Sequence, residues 1–332
     1  MKIALLGPTG QIGQAILRAL LTTTPHHVLQ IAAPQSESSA RDQVKSFTSD
    51  QSQRLSTAVV DLLSATSEDL HPHLTGVEIV ISALNGKALA AQQTVQDAAA
   101  HAGVKRFYPS EYGMHHIYRP PGEDDQMGYL HPIWNLKSTT TEQCLHHPAI
   151  LAGKMSYTLI GCGDFYNQSR ETTWCPWANP DPPDTYPLHI LGDADAKVDF
   201  THIDDLAAFL VETVQHPEIS ANRTLNFVSD RISYNEIAAL LERFSGRTVQ
   251  KEVWPLEVMH RVWRDPEGAI PPEVKGKSVF PDDFWILVKG MQGAGRFVRP
   301  PGEVHNGLFP GVEVRTFERY FGEMFGEKEV EM

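Results

Sequence analysis

The chain opens on a short apolar run, Ile3 to Leu6, that leads straight into Gly7-Pro8-Thr9-Gly10-Gln11-Ile12-Gly13. Directly after it, Ile12, Ile16 and Leu20 recur every four residues, which is one face of a helix. Few structures satisfy a buried strand, a glycine turn and an amphipathic helix in that order. One glycine permits the tight turn, one lets backbone approach a pyrophosphate, and one lets helix and strand pack closely. The helix N-terminus adds free N–H groups and a partial positive charge. In this setting the string reads as a dinucleotide phosphate loop. Its contacts are assigned to Gly7, Gly10 and Gly13, the Thr9 hydroxyl, and Gln11 and Ile12 in the first turn.

The strand–helix rhythm continues. Val28 to Ala33, Ala58 to Leu62, Val77 to Leu84, Val104 to Pro109 and Tyr157 to Ile160 read as strands, and the Ala- and Gln-rich stretch 87–102 as a helix. Such alternation predicts an α/β fold of the Rossmann type, a doubly wound parallel sheet whose C-terminal strand ends line a ligand crevice. Residues 114–133, with Pro120, Pro121 and the acidic run Glu123-Asp124-Asp125, read as a long loop, either a binding lid or a tolerated insertion. Residues 172–187 are rich in Pro and Trp and fit no sheet pattern. Segments 234–246 and 255–264 read as helices, and beyond about residue 230 the βαβ rhythm is lost. The expected division is a dinucleotide-binding domain, 1–161 with 198–230 returning to it, and a smaller C-terminal α/β substrate lobe, 162–197 with 231–332.

Charge narrows the partners. A net charge of -13 argues against nucleic acid and against anionic lipid. Cys144, Cys162 and Cys175 form no CxxC pair, which points to reduced thiols and a cytoplasmic setting. The apolar start is too short for a signal peptide, and no stretch has the length of a membrane span. The pairs His71/His73, His115/His116 and His146/His147 lack acidic or thiol partners at ligand spacing, so no metal site is expected. His202, before Asp204 and Asp205, reads as structural, and no GxSxG elbow is present.

At the end of the second strand an NAD site usually carries an acid for the ribose hydroxyls. Here that end reads Ile31-Ala32-Ala33-Pro34-Gln35-Ser36, with Arg41 and Lys45 following. Ser36, Arg41 and Lys45 suit a 2′-phosphate, which favours NADP(H). Glu37 argues against it, and a solvated helix face is the plain alternative for Arg41 and Lys45. Asp61, after the third strand, is placed near the adenine. Asn85-Gly86, after the fourth, is placed under the cofactor.

The string Arg106-Phe107-Tyr108-Pro109-Ser110-Glu111-Tyr112-Gly113 resembles the RFxPSEFG signature of the isoflavone reductase-like and NmrA-like family of atypical short-chain dehydrogenases. GPTGQIG, YTLIGCGDFYNQ, KVDFTHIDDLAAFLVETV and the terminal Gly307-Leu308-Phe309-Pro310-Gly311 with Phe317 and Tyr320 resemble further segments of that family. The resemblance implies a Rossmann domain with a smaller lobe, a substrate cleft between them, and NADPH-dependent reduction of phenolic or conjugated metabolites. It also implies a lysine beside the nicotinamide, roughly 25 residues beyond the signature, where Lys137 stands, and a Phe near the nicotinamide, Phe165. The Tyr-x-x-x-Lys pair of ordinary short-chain dehydrogenases is missing, since position 133 is Ile. Thr141 stands where members often carry Arg.

Hydride transfer is the cofactor's chemistry, and the protein orients the partners and stabilises the developing charge. Lys137 is the catalytic candidate, through stabilising or protonating an oxyanion, with ribose binding as its other role. Ser110 ends the fifth strand at the crevice. Glu111 reads as a loop-fixing residue rather than an acid catalyst. Tyr112, Met114, Phe165, Trp174 and Trp177 are assigned to the substrate side, with Phe297 as a further wall residue. For the aromatic residues, packing in a core is the competing reading. The expected partner is therefore one small aromatic or conjugated molecule, with the protein a monomer or homodimer. A non-catalytic NADP(H) sensor and a cofactor-retaining isomerase or dehydratase are the competing functions on the same scaffold.

Overall fold

The computed structural model describes residues 1–113 and 131–326. Seven parallel strands form the central sheet: β1 (Lys2–Leu6), β2 (His27–Ala32), β3 (Leu55–Val59), β4 (Ile79–Ser82), β5 (Arg106–Tyr108), β6 (Ser156–Cys162) and, out of sequence, β10 (Arg223–Phe227). Their order is β10-β6-β5-β4-β1-β2-β3. The order reverses at β1, where one half of the sheet grows through β2 and the other through β4. This is the switch point at which open α/β sheets hold ligands. The interior strands carry apolar residues on both faces, as a sheet covered twice requires: Ile3 to Leu6 and Val80, Ile81 are wholly buried. Helices Gln11–Thr23 and Ile203–Gln215 pack together on one face, whereas Ser67–Leu74 and Gln92–His101 cover the other.

A second core gathers β7 (Asp164–Phe165), β8 (Thr185–Leu191), β9 (Val198–Thr201), β11 (Asp230–Ile232) and β12 (Thr248–Trp254) with helices Tyr234–Ser245, Glu257–Arg264, Asp282–Gly293 and Phe317–Phe325. β11, β9 and β7 make a three-stranded sheet, while β12 runs parallel to β8 as a separate pair. The two strands of that pair depart from the sequence reading. Segment 172–187 was expected to lie outside any sheet, and strand order was expected to fade beyond about residue 230. The β8–β12 pairing joins Thr185 to Thr248, a match made over a distance in sequence that local pattern does not report. The third strand lies a few residues before its expected place at Ala58 to Leu62, because Asp61 already turns the chain by accepting from the Leu63 amide. Stretch 87–102 divides into a 3-10 turn, Gly86–Ala91, and the helix Gln92–His101. The helices at Tyr234–Ser245 and Glu257–Arg264 lie where the periodicity places them. The loop expected over 114–133 lies outside the described residues except for its end, which enters the helix Pro132–Leu145.

Candidate active site

The glycine loop is shaped by contacts no side chain tolerates. Gly7 has φ +70°, and a Cβ there would stand 2.6 Å from the Ala83 carbonyl oxygen. A Cβ on Gly13 would stand 2.0 Å from the Gly7 carbonyl oxygen. Gly10 differs, since a Cβ there meets nothing nearer than 3.6 Å. It is the N-cap of Gln11–Thr23 and offers no side chain to cap the helix. The first-turn amides of Gln11, Ile12 and Gly13 therefore have no intrahelical acceptor. An uncapped helix start beside an open glycine fits a diphosphate, and these residues are the ones that would hold it.

From this loop a cavity of about 300 Å³ runs to the second core. Gly10, Gln11, Ile12, Asn85, Ser110 and Lys137 line its sheet side. The far wall is aromatic, built by Phe165, Phe280, Phe284, Trp285 and Phe297. Phe165 ends β7 and Phe297 follows the helix Asp282–Gly293, and both line the cavity.

The signature string divides its labour. Arg106 is buried and donates to the Tyr108 hydroxyl, the Thr213 carbonyl and the Ser220 hydroxyl, pinning β5 to the helices after β9. The Ser110 hydroxyl donates to the Leu84 carbonyl at 2.6 Å. Glu111 accepts from the Thr141 hydroxyl at 3.3 Å, and its carbonyl accepts from Lys137 Nζ at 2.6 Å. Lys137 and Thr141, one helical turn apart on Pro132–Leu145, thus both fasten onto Glu111, which leaves the ammonium at the cavity edge. Thr141, where the family often has Arg, keeps a polar tie to the same glutamate.

Other assigned residues fall differently. Tyr112 touches the cavity, but its hydroxyl donates to the Ser82 carbonyl at 2.9 Å, and burial raises its pKa above the ordinary phenol value. Its ring is wall and its phenol is already committed. Trp174 and Trp177 do not line the cavity. Trp177 Nε1 donates to the Tyr166 carbonyl at 2.7 Å, and its ring packs on Phe317 and Phe321. Trp174 packs against Trp285, Trp254 and His189. Both belong to the second core, because their rings are large enough to fill it and Trp177 finds its one polar partner there. Met114 lies outside the described residues.

Ser36, Arg41, Lys45, Asp61 and Gly86 are not in the cavity wall. Ser36 stands at the N-terminal boundary of the helix Glu37–Lys45 just after β2, without a side-chain capping bond, and Asp61 follows β3. Parallel pairing puts those strand ends on the same sheet edge as the glycine loop. Arg41 bonds Glu37 at 2.7 Å and Lys45 bonds Asp42 at 2.7 Å, both on the surface. Exposed pairs of this kind hold about 0–1 kcal/mol, so a phosphate competes easily for either cation.

Sequence reasoning missed Phe280, Phe284, Trp285 and Asp164. The run Phe284-Trp285-Ile286-Leu287-Val288 is the available signal for Phe284 and Trp285, since a continuous apolar stretch within a helix must be buried on every side; nothing local marks Phe280. Asp164 stands beside Phe165 in the matched stretch and lines the cavity. No group of three or more His, Cys, Asp or Glu placed to hold a metal occurs among the described residues.

Comparison with known proteins agrees with this architecture. The model of the NmrA-like family matches residues 1–277. The chain belongs to the NmrA-like family. Among its relatives are phenylcoumaran benzylic ether reductase TP7 of Nicotiana tabacum, 27% identical over 324 residues and covering 97% of each chain, and eugenol synthase 1 of Petunia hybrida, 28% identical over 326 residues, covering 96% of this chain and 97% of the relative. In fold it is similar to an isoflavone reductase crystal structure, with TM-score 0.70 at 22% identity, over 97% of this chain and 98% of that one. It is equally similar to a binary complex of Vitis vinifera leucoanthocyanidin reductase with NADPH, with TM-score 0.70 at 21% identity, over 98% and 100%.

Proposed function

We propose that this member of the NmrA-like family is an NADPH-dependent reductase of a small aromatic or conjugated molecule. The observation that carries the reading is a single cavity joining a capless glycine-rich helix start to an aromatic wall, with a lysine ammonium at its edge. Relatives named as reductases match nearly the whole chain, and one structural neighbour was described with NADPH. Bound along the loop, NADPH supplies the hydride. Gly10 and the first-turn amides hold its diphosphate, and Arg41 and Lys45 take the 2′-phosphate. Ser110, Asn85 and Phe165 line the same cavity and would border the cofactor, with Phe165 on the nicotinamide side. Lys137, fixed in place by the Glu111 carbonyl, would stabilise negative charge developing on an acceptor oxygen at the cavity edge. The aromatic wall excludes water and orients the substrate ring. The division into 1–161 with 198–230 and 162–197 with 231–332 belongs to the same proposal, with the cleft between them.

The test is titration with NADPH and NADH, followed by turnover on a panel of phenolic enones, with Lys137→Ala beside the wild type. The expected outcome is tighter binding of NADPH than NADH, and a fall in kcat of about a hundredfold or more in the variant. A variant that keeps kcat but loses NADPH affinity would move Lys137 to the ribose. Failure to bind either dinucleotide would sink the reading.

A further inference from the structure

The cavity contains one carboxylate whose bonding is half complete. Asp164 is 9% exposed and lines the cavity beside Phe165. Its Oδ2 is taken from behind by Lys289 Nζ at 2.9 Å and Gln292 Nε2 at 2.8 Å, both from the helix Asp282–Gly293. Those donors are themselves held. Lys289 donates to the Tyr234 hydroxyl at 2.9 Å, and that hydroxyl donates to Gln292 Oε1 at 2.6 Å. Trp285 places its ring 4.9 Å from the ammonium. Burial opposes the charge on Lys289, but Asp164 and Tyr234 outweigh it and raise its pKa above the ordinary lysine value. The network therefore fixes the carboxylate rigidly, while Oδ1 has no hydrogen-bond partner among the described residues.

A carboxylate oxygen that loses its water without gaining a donor is costly, so a ligand that fills the cavity must satisfy it. The surrounding wall is largely aromatic, with Phe165 and Trp285 among its residues. We propose that Asp164 determines substrate specificity: its Oδ1 accepts a hydrogen bond from a phenolic hydroxyl of the aromatic substrate. This rests on the reading of the cavity as an aromatic-substrate cleft. The site selects for a free hydroxyl, because a ring without one leaves the acceptor buried and unpaired.

Asp164→Asn is the informative substitution. Lys289 and Gln292 both donate, so the amide must turn its oxygen to them and its NH2 into the cavity. The cavity-facing acceptor becomes a donor with almost no change in shape. The experiment is calorimetric binding of para-hydroxychalcone and of unsubstituted chalcone to protein saturated with NADP+. We expect the wild type to bind the hydroxy compound about tenfold or more tightly, and the ratio to fall to within a few-fold in Asp164→Asn with NADP+ affinity unchanged. A preserved ratio in the variant overturns the proposal. So does a wild type that does not discriminate, a comparison that holds even if the variant fails to fold. Weakened NADP+ binding with the ratio kept would assign the carboxylate to the cofactor instead. If NADP+ binds and neither chalcone does, the aromatic-cleft reading itself fails, an outcome distinct from equal binding of the two.

Discussion

At the scale of single residues, the contacts decide which positions are fixed by backbone and which by chemistry. Gly13 is fixed by backbone. An added methyl would overlap the Gly7 carbonyl, which cannot yield without opening the loop. Gly13→Ala is expected to destabilise the protein by about 1–3 kcal/mol, read from denaturant unfolding, and to abolish dinucleotide binding, read by titration. Trp177 is fixed by packing. Trp177→Ala is expected to cost about 3–5 kcal/mol in the same unfolding measurement. At permissive temperature the variant should retain NADPH affinity, because Trp177 lies outside the cavity wall. A loss of NADPH affinity in the folded variant would return this residue to the site. Lys137 and Asp164 are the positions fixed by chemistry, since each meets the cavity with a charged group held by a neighbouring residue.

At the scale of elements, imidazoles hold several chain turns together. His131 and His202 cap the helices Pro132–Leu145 and Ile203–Gln215, with Nδ1 accepting from the amides of Ile133 and Asp204. His305 Nδ1 accepts from the Asn226 amide at 3.0 Å, holding the chain beyond residue 300 against β10. Burial lowers the pKa of all three, against the opposing pull of Asp283 on His131, of Asp205 and Asp204 on His202, and of Glu303 on His305. The folded chain then binds fewer protons than the unfolded chain just below the ordinary imidazole value. Stability from these groups is complete above about pH 6.5 and is lost as pH falls through their lower folded values. Thermal unfolding between about pH 7.5 and 5.5 should show a falling Tm. His202→Asn, which keeps a capping acceptor without the titration, should flatten that slope, and an unchanged slope would remove His202 from the account.

Elements also divide what the sequence could tell. The glycine loop, the first helix and the buried strands β1, β2, β4, β5 and β6 are legible because each follows from a period or a run of adjacent residues. β8 and β12 are not: β8 is largely buried and β12 largely exposed, and their pairing spans a long stretch of sequence that no local period reports. Lys137 and Phe165 come from motif position. The apolar run at Phe284 and Trp285 marks burial but names no ligand, so the aromatic wall they form with Phe280 emerges only when the tertiary fold brings them to the loop.

For the molecule as a whole, the cavity joins the two cores, so a ligand that fills it binds the native state alone. NADPH at a hundred times its Kd should add about 2.7 kcal/mol to stability. Differential scanning should show this as a Tm raised by several degrees, with a smaller shift for NADH at the same concentration. Equal shifts for the two would remove Arg41 and Lys45 from the 2′-phosphate.

The sheet is also completed late. β6 lies beside β10, and the bond from the Tyr157 amide to the Asn222 side chain spans 65 residues. On the ribosome, β6 emerges with Leu159 and Ile160 along an unpaired edge, and the strands that emerge next belong to the other core. At 5–20 residues per second that edge stays open for roughly 3–13 s before its partner is synthesised. An open apolar edge is a template for other chains. Slowing the ribosome between residues 162 and 227 is expected to prolong exposure of that edge to neighbouring nascent chains and to lower the yield of soluble protein, measured by expression with slow codons placed there.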